Sequence, residues 1–146
     1  MSDLERVRTF VSEYHAHYRN PSLSSLEVSG LYCVSPDAAE RSEASSAWPE
    51  TWPYAWYPGV YLIFDSNVSL LYVGKASFGA GVGHRLSAHF CFESDGSRAC
   101  KVRGSWSARP AFLATIPVEE PFEAPSLEEY LIGKLQPPDN RRGING

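Results

Sequence analysis

GVYLIFD at positions 59–65 and SLLYVGK at positions 69–75 are the two runs whose reading decides the fold. Both are rich in β-branched, aromatic and leucine side chains, and the polar residues around Ser66 and Asn67 place a turn between them, the pattern of an antiparallel hairpin. With an even-length loop, positions of opposite parity share one face of the pair, so Tyr61 and Tyr72 project together.

Downstream, Gly74, Gly79, Gly81 and Gly83 form a flexible link into a predicted short helix over 82–90. Val82, Leu86 and Phe90 form its buried stripe, and Arg85 and His89, one turn apart, share the neighbouring edge. Residues 91–110 read as a basic loop, 111–117 as a third strand, and 126–135 as a final helix closed by Pro137 and Pro138. Upstream, 2–18 reads as an amphipathic helix with Leu4, Val7, Val11, Tyr14 and Tyr18 on one stripe, a Ser2/Glu5 capping box at its start and Asn20 and Pro21 as its stop. Residues 22–34 fit either a short helix or a strand, and 35–46 read as a surface loop. The expected fold is α/β: a small three-stranded antiparallel sheet flanked by helices, with an extra N-terminal helix. Residues 1–57 form an extension packed on the same domain as the core, 58–146.

A chain of 146 residues with 43% apolar content suits one globular domain and excludes a disordered tail protein. The longest apolar run, over 68–73, is far short of the roughly 20 residues that cross a bilayer, and the charged start MSDLERVRTF does not read as a signal peptide. Cys33, Cys91 and Cys100 have no CxxC spacing, which argues against a zinc knuckle or a disulfide framework and fits a reducing cytoplasm. A net charge of −4 argues mildly against an anionic partner, yet residues 74–110 carry Lys75, Arg85, Arg98, Lys101, Arg103 and Arg109 against only Glu93 and Asp95. A local basic field is therefore available.

Trp48, Trp52, Tyr54, Trp56 and Tyr57 fall within ten residues, broken by Pro49, Pro53 and Pro58. Proline blocks a regular helix here. The rings suit packing on the core, a stacking platform for unpaired bases, or the contact surface for a protein partner.

In the final predicted helix, Ser126 and Glu129 fit a capping box, which gives Glu129 a structural task. Glu128 falls inside the apolar arc of Tyr130, Leu127, Leu131, Leu135 and Ile132. A carboxylate there needs a cation, several donors or a metal ion, so a salt bridge to Arg85 or Lys134 and a metal site both remain open.

Gly59-Val60-Tyr61, followed eleven residues later by Tyr72-Val73-Gly74, resembles the paired signature of the GIY-YIG nuclease superfamily. The helix carrying Arg85 and His89, the stretch SLEEYLIGKLQPPDN and its terminal Asn140 follow in the family's order, so the likeness spans 58–140. The Gly74 to Arg85 link looks longer and richer in glycine than in the excision-repair incision subunits, closer to some restriction enzymes of the superfamily.

The resemblance implies Tyr61 and Tyr72 as signature tyrosines, Arg85 as the phosphate-facing arginine, His89 at a position where relatives carry Tyr or His, and Glu128 as metal ligand. It places Lys75 where lysine often follows the motif, and Asn140 as a loop-organising residue counted with the substrate contacts. It further implies cleavage of phosphodiester bonds by tyrosine or water attack with one divalent ion, Mg²⁺ or Mn²⁺, on Glu128. Such chemistry needs an activated water, counter-charge for the transition state and help for the leaving oxygen. DNA is favoured over RNA as substrate, with Lys101 and Arg103 contacting backbone phosphates. The competing expectation is a non-catalytic nucleic-acid-binding or protein-interaction module on the same fold.

Overall fold

The computed structural model describes residues 1–34, 44–47, 56–79, 81–86, 88–92, 100–102 and 104–140, with backbone alone at 44–47, 91, 92, 100 and 101. Strands β3 (Gly59–Asp65) and β4 (Leu70–Ala76) form the expected hairpin. Asp65 builds its turn: its Oδ1 accepts from the amides of Asn67 at 2.8 Å and Ser69 at 2.9 Å, as Asx turns do. Val68 takes the left-handed conformation at φ 58°, and the register slips once after Ile63.

β3 lies between β4 and β7 (Pro110–Pro117) in a sheet of order β2-β1-β7-β3-β4. The three antiparallel strands expected from the sequence form one side of it. β1 (Leu31–Cys33) adds a fourth antiparallel strand on β7, and β2 (Ala44–Ala47) pairs parallel to β1. Residues 44–46 are therefore strand rather than surface loop. Strands of three or four residues lack a readable period, and their partners lie far away in sequence.

β3 is apolar on both faces because both faces are covered. Val60, Leu62 and Phe64 pack with α1 (Asp3–Tyr18) and α3 (Glu123–Leu135), while Tyr61 and Ile63 meet Val82, Leu86 and Phe90 on the other side. Helix α1 carries the Ser2/Glu5 capping box and buries Val7, Val11 and Tyr14, each such side chain stabilising the fold by roughly 1.5–3 kcal/mol.

Three local readings are corrected. Helix α2 covers only Val82–Leu86; the chain then turns, with Ala88 and His89 amides on the Arg85 and Leu86 carbonyls, and Phe90 reaches the same cluster from strand β5 (Phe90–Phe92). The predicted basic loop contains β6 (Cys100–Val102), which pairs antiparallel with β5. Helix α3 starts at Glu123, not after Ser126, because Pro125 fits a first helical turn whose amides have no intrahelical acceptor. Ser126 is thus no cap: its hydroxyl pairs with the Tyr14 hydroxyl at 3.1 Å, and Glu129 is exposed.

Candidate active site

The two glycines of the hairpin motif are dictated by close approach. A Cβ on Gly59 would lie 2.9 Å from the Pro117 Cα in the adjoining strand. Gly74 sits directly opposite Tyr61, whose ring lies across it; a Cβ there would overlap Cζ and Oη and come 2.6 Å from Cε2. Tyr61 is laid flat along the hairpin, almost completely buried.

Tyr72 shares that face, with its ring centroid 6.1 Å from that of Tyr61. His89, just past α2, closes the group: its Nε2 lies 3.0 Å from the Tyr61 hydroxyl, and its ring centroid stands 5.7 Å from Tyr61 and 5.6 Å from Tyr72. A fourth ring, Trp106, meets Tyr72 edge-on at 5.8 Å and His89 at 5.7 Å. Sequence reasoning missed Trp106; its only signal was a lone large ring among small and polar residues before β7.

Burial sets the protonation of this group. The Tyr61 hydroxyl is pushed far above the ordinary tyrosine range, first by desolvation, then by the neighbouring Tyr72, with Arg85 pulling the other way. Tyr72 is raised by burial and by the charge of Glu128. His89 is lowered by burial and then by Arg85, both of which favour the neutral ring.

Arg85 is exposed at the end of α2 and its charge reaches both tyrosines, His89 and Glu128. Glu128 is half-buried on α3, and burial raises its pKa against the pull of Lys75 and Arg85. Among the described residues no ion pair holds Glu128, and Lys134 instead stands 5.7 Å over the Tyr130 ring. Asn140 is buried, and its side-chain amide exchanges two 2.8 Å hydrogen bonds with the backbone of Val73 on the open edge of β4. Beside it, Asp139 accepts from the amide and hydroxyl of Ser107.

Arg98 and Arg103, the Lys101 side chain, and Trp48, Trp52 and Tyr54 lie outside the described residues. Arg109 is exposed, as are Trp56 and Tyr57. Among the described residues no three His, Cys, Asp or Glu side chains converge as a metal cluster, and no helix is long and apolar enough to cross a membrane.

Residues 57–144 match the family model described as the GIY-YIG catalytic domain. The chain belongs to the GIY-YIG family. Over 83 residues it is 37% identical to UvrABC system protein C of Pseudomonas fluorescens and 36% identical to the protein of that name from Pseudomonas syringae pv. tomato. The match covers 57% of this chain and 12% of each relative, so the chain spans only a small part of their length. Membership assigns a nuclease-type fold whose family substrates are nucleic acids, and GIY-YIG nucleases generally depend on a divalent metal ion.

Proposed function

We propose that this GIY-YIG chain is a metal-dependent endonuclease that hydrolyses phosphodiester bonds, in DNA rather than RNA. The observation that carries the reading is the 3.0 Å contact between the Tyr61 hydroxyl and His89 Nε2, set within reach of the charges of Arg85 and Glu128.

Tyr61 is too basic as tyrosinate, and too buried, to stand ionised. It works as a relay: a water bound to its oxygen attacks phosphorus, the water's proton passes to the Tyr61 oxygen, and the Tyr61 proton passes to the neutral His89 Nε2. Tyr72 flanks the same oxygen. Arg85 offers its guanidinium fork to the phosphate oxygens where charge builds in the transition state. The single half-buried Glu128 carboxylate suits Mg²⁺ or Mn²⁺, since such an ion is held by one or two carboxylates with water and substrate phosphate as its other ligands. A bound ion would supply Lewis-acid help to the leaving 3′ oxygen. The charge of Lys75 favours the ionised Glu128 carboxylate and so opposes part of the effect of burial, which still raises its pKa. Asn140 serves the site by fixing the β4 edge, and Lys101 and Arg103 remain assigned to backbone phosphates.

The test is nicking of supercoiled plasmid, and of RNA, across a Mg²⁺ or Mn²⁺ titration beside Glu128→Gln. Metal-dependent nicking lost in the variant supports the reading. The exposure of Trp56 (85%) and Tyr57 (52%) favours a second reading, a non-catalytic contact module. Salt-dependent binding without cleavage at any metal concentration selects that one.

A further inference from the structure

Trp106 belongs to the loop between β6 and β7, far from the signature motifs, yet its indole completes the ring cluster. His89 is the least secured member of that cluster. It lies past the end of α2 in a turn held by two backbone bonds, Ala88 to Arg85 and His89 to Leu86, and no helical packing fixes its side chain. One hydrogen bond to Tyr61 leaves an imidazole able to tilt about that bond, and among the described residues it is walls of packed rings that limit the tilt. The walls are Tyr61 from β3, Tyr72 from β4, Phe90 at 6.2 Å from β5, and Trp106. Three of these come from strands. Trp106 comes from a loop.

That loop is stapled from the far end of the chain. Gly104 turns it at φ 90°, and one residue past Trp106 the Ser107 amide donates to both carboxylate oxygens of Asp139, at 3.1 and 3.3 Å, while its hydroxyl donates to Oδ2 at 3.1 Å. Asp139 is buried beside Asn140, which is itself locked to Val73 on β4. Tyr72 is the residue before Val73, so one segment, residues 139–140, ties the strand bearing Tyr72 to the loop bearing Trp106.

We propose that Trp106 is a positioning residue: delivered by the Asp139–Ser107 staple, its indole fixes the His89 imidazole between Tyr72 and Tyr61 so that Nε2 stays aimed at the Tyr61 hydroxyl. The catalytic consequence rests on the nuclease reading above; the positioning itself does not. Trp106 acts through His89, and substrate affinity therefore depends on it much less than turnover does.

The test uses the full chain and two readouts. The first is ¹⁵N-edited NMR of the His89 ring, which reports the tautomer with no substrate present. The wild type gives one tautomer, Trp106→Ala an averaged pair, and Trp106→Phe, which keeps an aromatic wall, the wild-type pattern. The second is single-turnover and steady-state nicking with Mg²⁺: Trp106→Ala lowers kcat about 10- to 100-fold, the scale of an ångström of misplacement, with KM shifted less than about 3-fold, and Trp106→Phe recovers most of the rate. If Trp106→Ala fails to fold, Asp139→Asn, which keeps every ring but weakens the staple that holds the Trp106 loop, carries the same two readouts with smaller effects. An unchanged His89 tautomer in Trp106→Ala overturns the proposal, as does a loss carried wholly by KM, which would make the indole a surface for substrate. A wild type that nicks nothing overturns the nuclease reading alone, and an averaged tautomer in Trp106→Ala then still supports the positioning role.

Discussion

Replacing Gly74 with alanine tests the geometry of the tyrosine site at its tightest point. The new Cβ comes 2.6 Å from Tyr61 Cε2 and overlaps Cζ and Oη, whereas ordinary contact begins at 3.4 Å, so the ring must move by at least about 0.8 Å. Tyr61 is almost completely buried in a cluster with Ile63, Leu86 and Phe90, so that movement is resisted by packed neighbours. Overpacking of this kind costs about 1–3 kcal/mol. Stretching the bond to His89 adds about 0.5–1.5 kcal/mol, and alanine's lower chain entropy returns about 0.5–1 kcal/mol. The expected net loss is about 0.5–4 kcal/mol, read as a lower midpoint in urea at unchanged slope. Nicking should fall roughly 100-fold, since misplacement by about an ångström suffices for that. The decisive control is Gly74→Ala combined with Tyr61→Leu, which removes the ring end that clashes. If the clash is the cause, the double variant is more stable than the sum of the single effects by over about 1 kcal/mol. Additive losses, or a Gly74→Ala chain with wild-type stability and rate, refute the reasoning.

Glu128→Gln should abolish metal-dependent nicking and any Mg²⁺-induced rise in Tm, while leaving the metal-free Tm unchanged or higher, because burial makes the ionised carboxylate a cost at neutral pH. Glu123→Ala removes the carboxylate that Arg19 holds in a bidentate pair at 2.7 and 3.0 Å and leaves the guanidinium with its contacts to the Ser24 carbonyl and His15 Nδ1, both at 2.8 Å; it should cost about 1–3 kcal/mol in urea denaturation, and Arg19→Met with Glu123→Leu should recover most of it. His89 has a lowered pKa, so the unfolded chain binds its proton more readily than the folded one: stability is full above the ordinary value of about 6.5 and falls as pH drops through the lowered one, and His89→Gln should flatten that fall in a pH series of denaturation curves. Replacing Lys101 and Arg103 with alanine should flatten the slope of log K against log salt for DNA by about two units, whatever the sequence.

The hairpin was legible because it combines two runs of strand-forming residues with a turn whose Asp65 satisfies local amides, and its parity put Tyr61 and Tyr72 on one face before any long-range contact was known. The α1 start was legible for a similar reason: its capping box is closed within four residues. The same four-residue pattern misled at Ser126, because the helix already begins at Glu123 with Pro125 in its first turn, and the Ser126 hydroxyl serves Tyr14 instead. Residues 82–90 misled because Val82, Leu86 and Phe90 do meet in one cluster; helical spacing described the contact correctly and the backbone wrongly. β1, β2 and the β5–β6 ladder exist through pairing partners elsewhere in the chain, which no local window contains. Trp106 was invisible to motif reading because its place depends on the bond from the next residue, Ser107, to Asp139, thirty-two residues beyond Ser107.

The residues outside the hairpin share one physical task. β4 is the sheet's edge, and an edge strand presents unpaired amides that must be covered. Asp3 accepts from the Leu70 amide at 2.7 Å, and Asn140 pairs with Val73 on both its donor and its acceptor. Side chains from the start of the chain and from just beyond α3 thus take up positions a further strand would occupy. The first of these regions also holds the helix that bears Glu128: Tyr14 bonds Ser126, and Arg19 grips Glu123 in a pair almost shut off from water. Glu128 comes from a different element than the tyrosines, so its distance from them is set by how α3 sits on the sheet. The polar contacts that pin α3 come from α1 and its C-cap, which lie outside the stretch matched to the family. The N-terminal helix is therefore part of what determines the site's geometry, although none of its side chains joins the ring cluster.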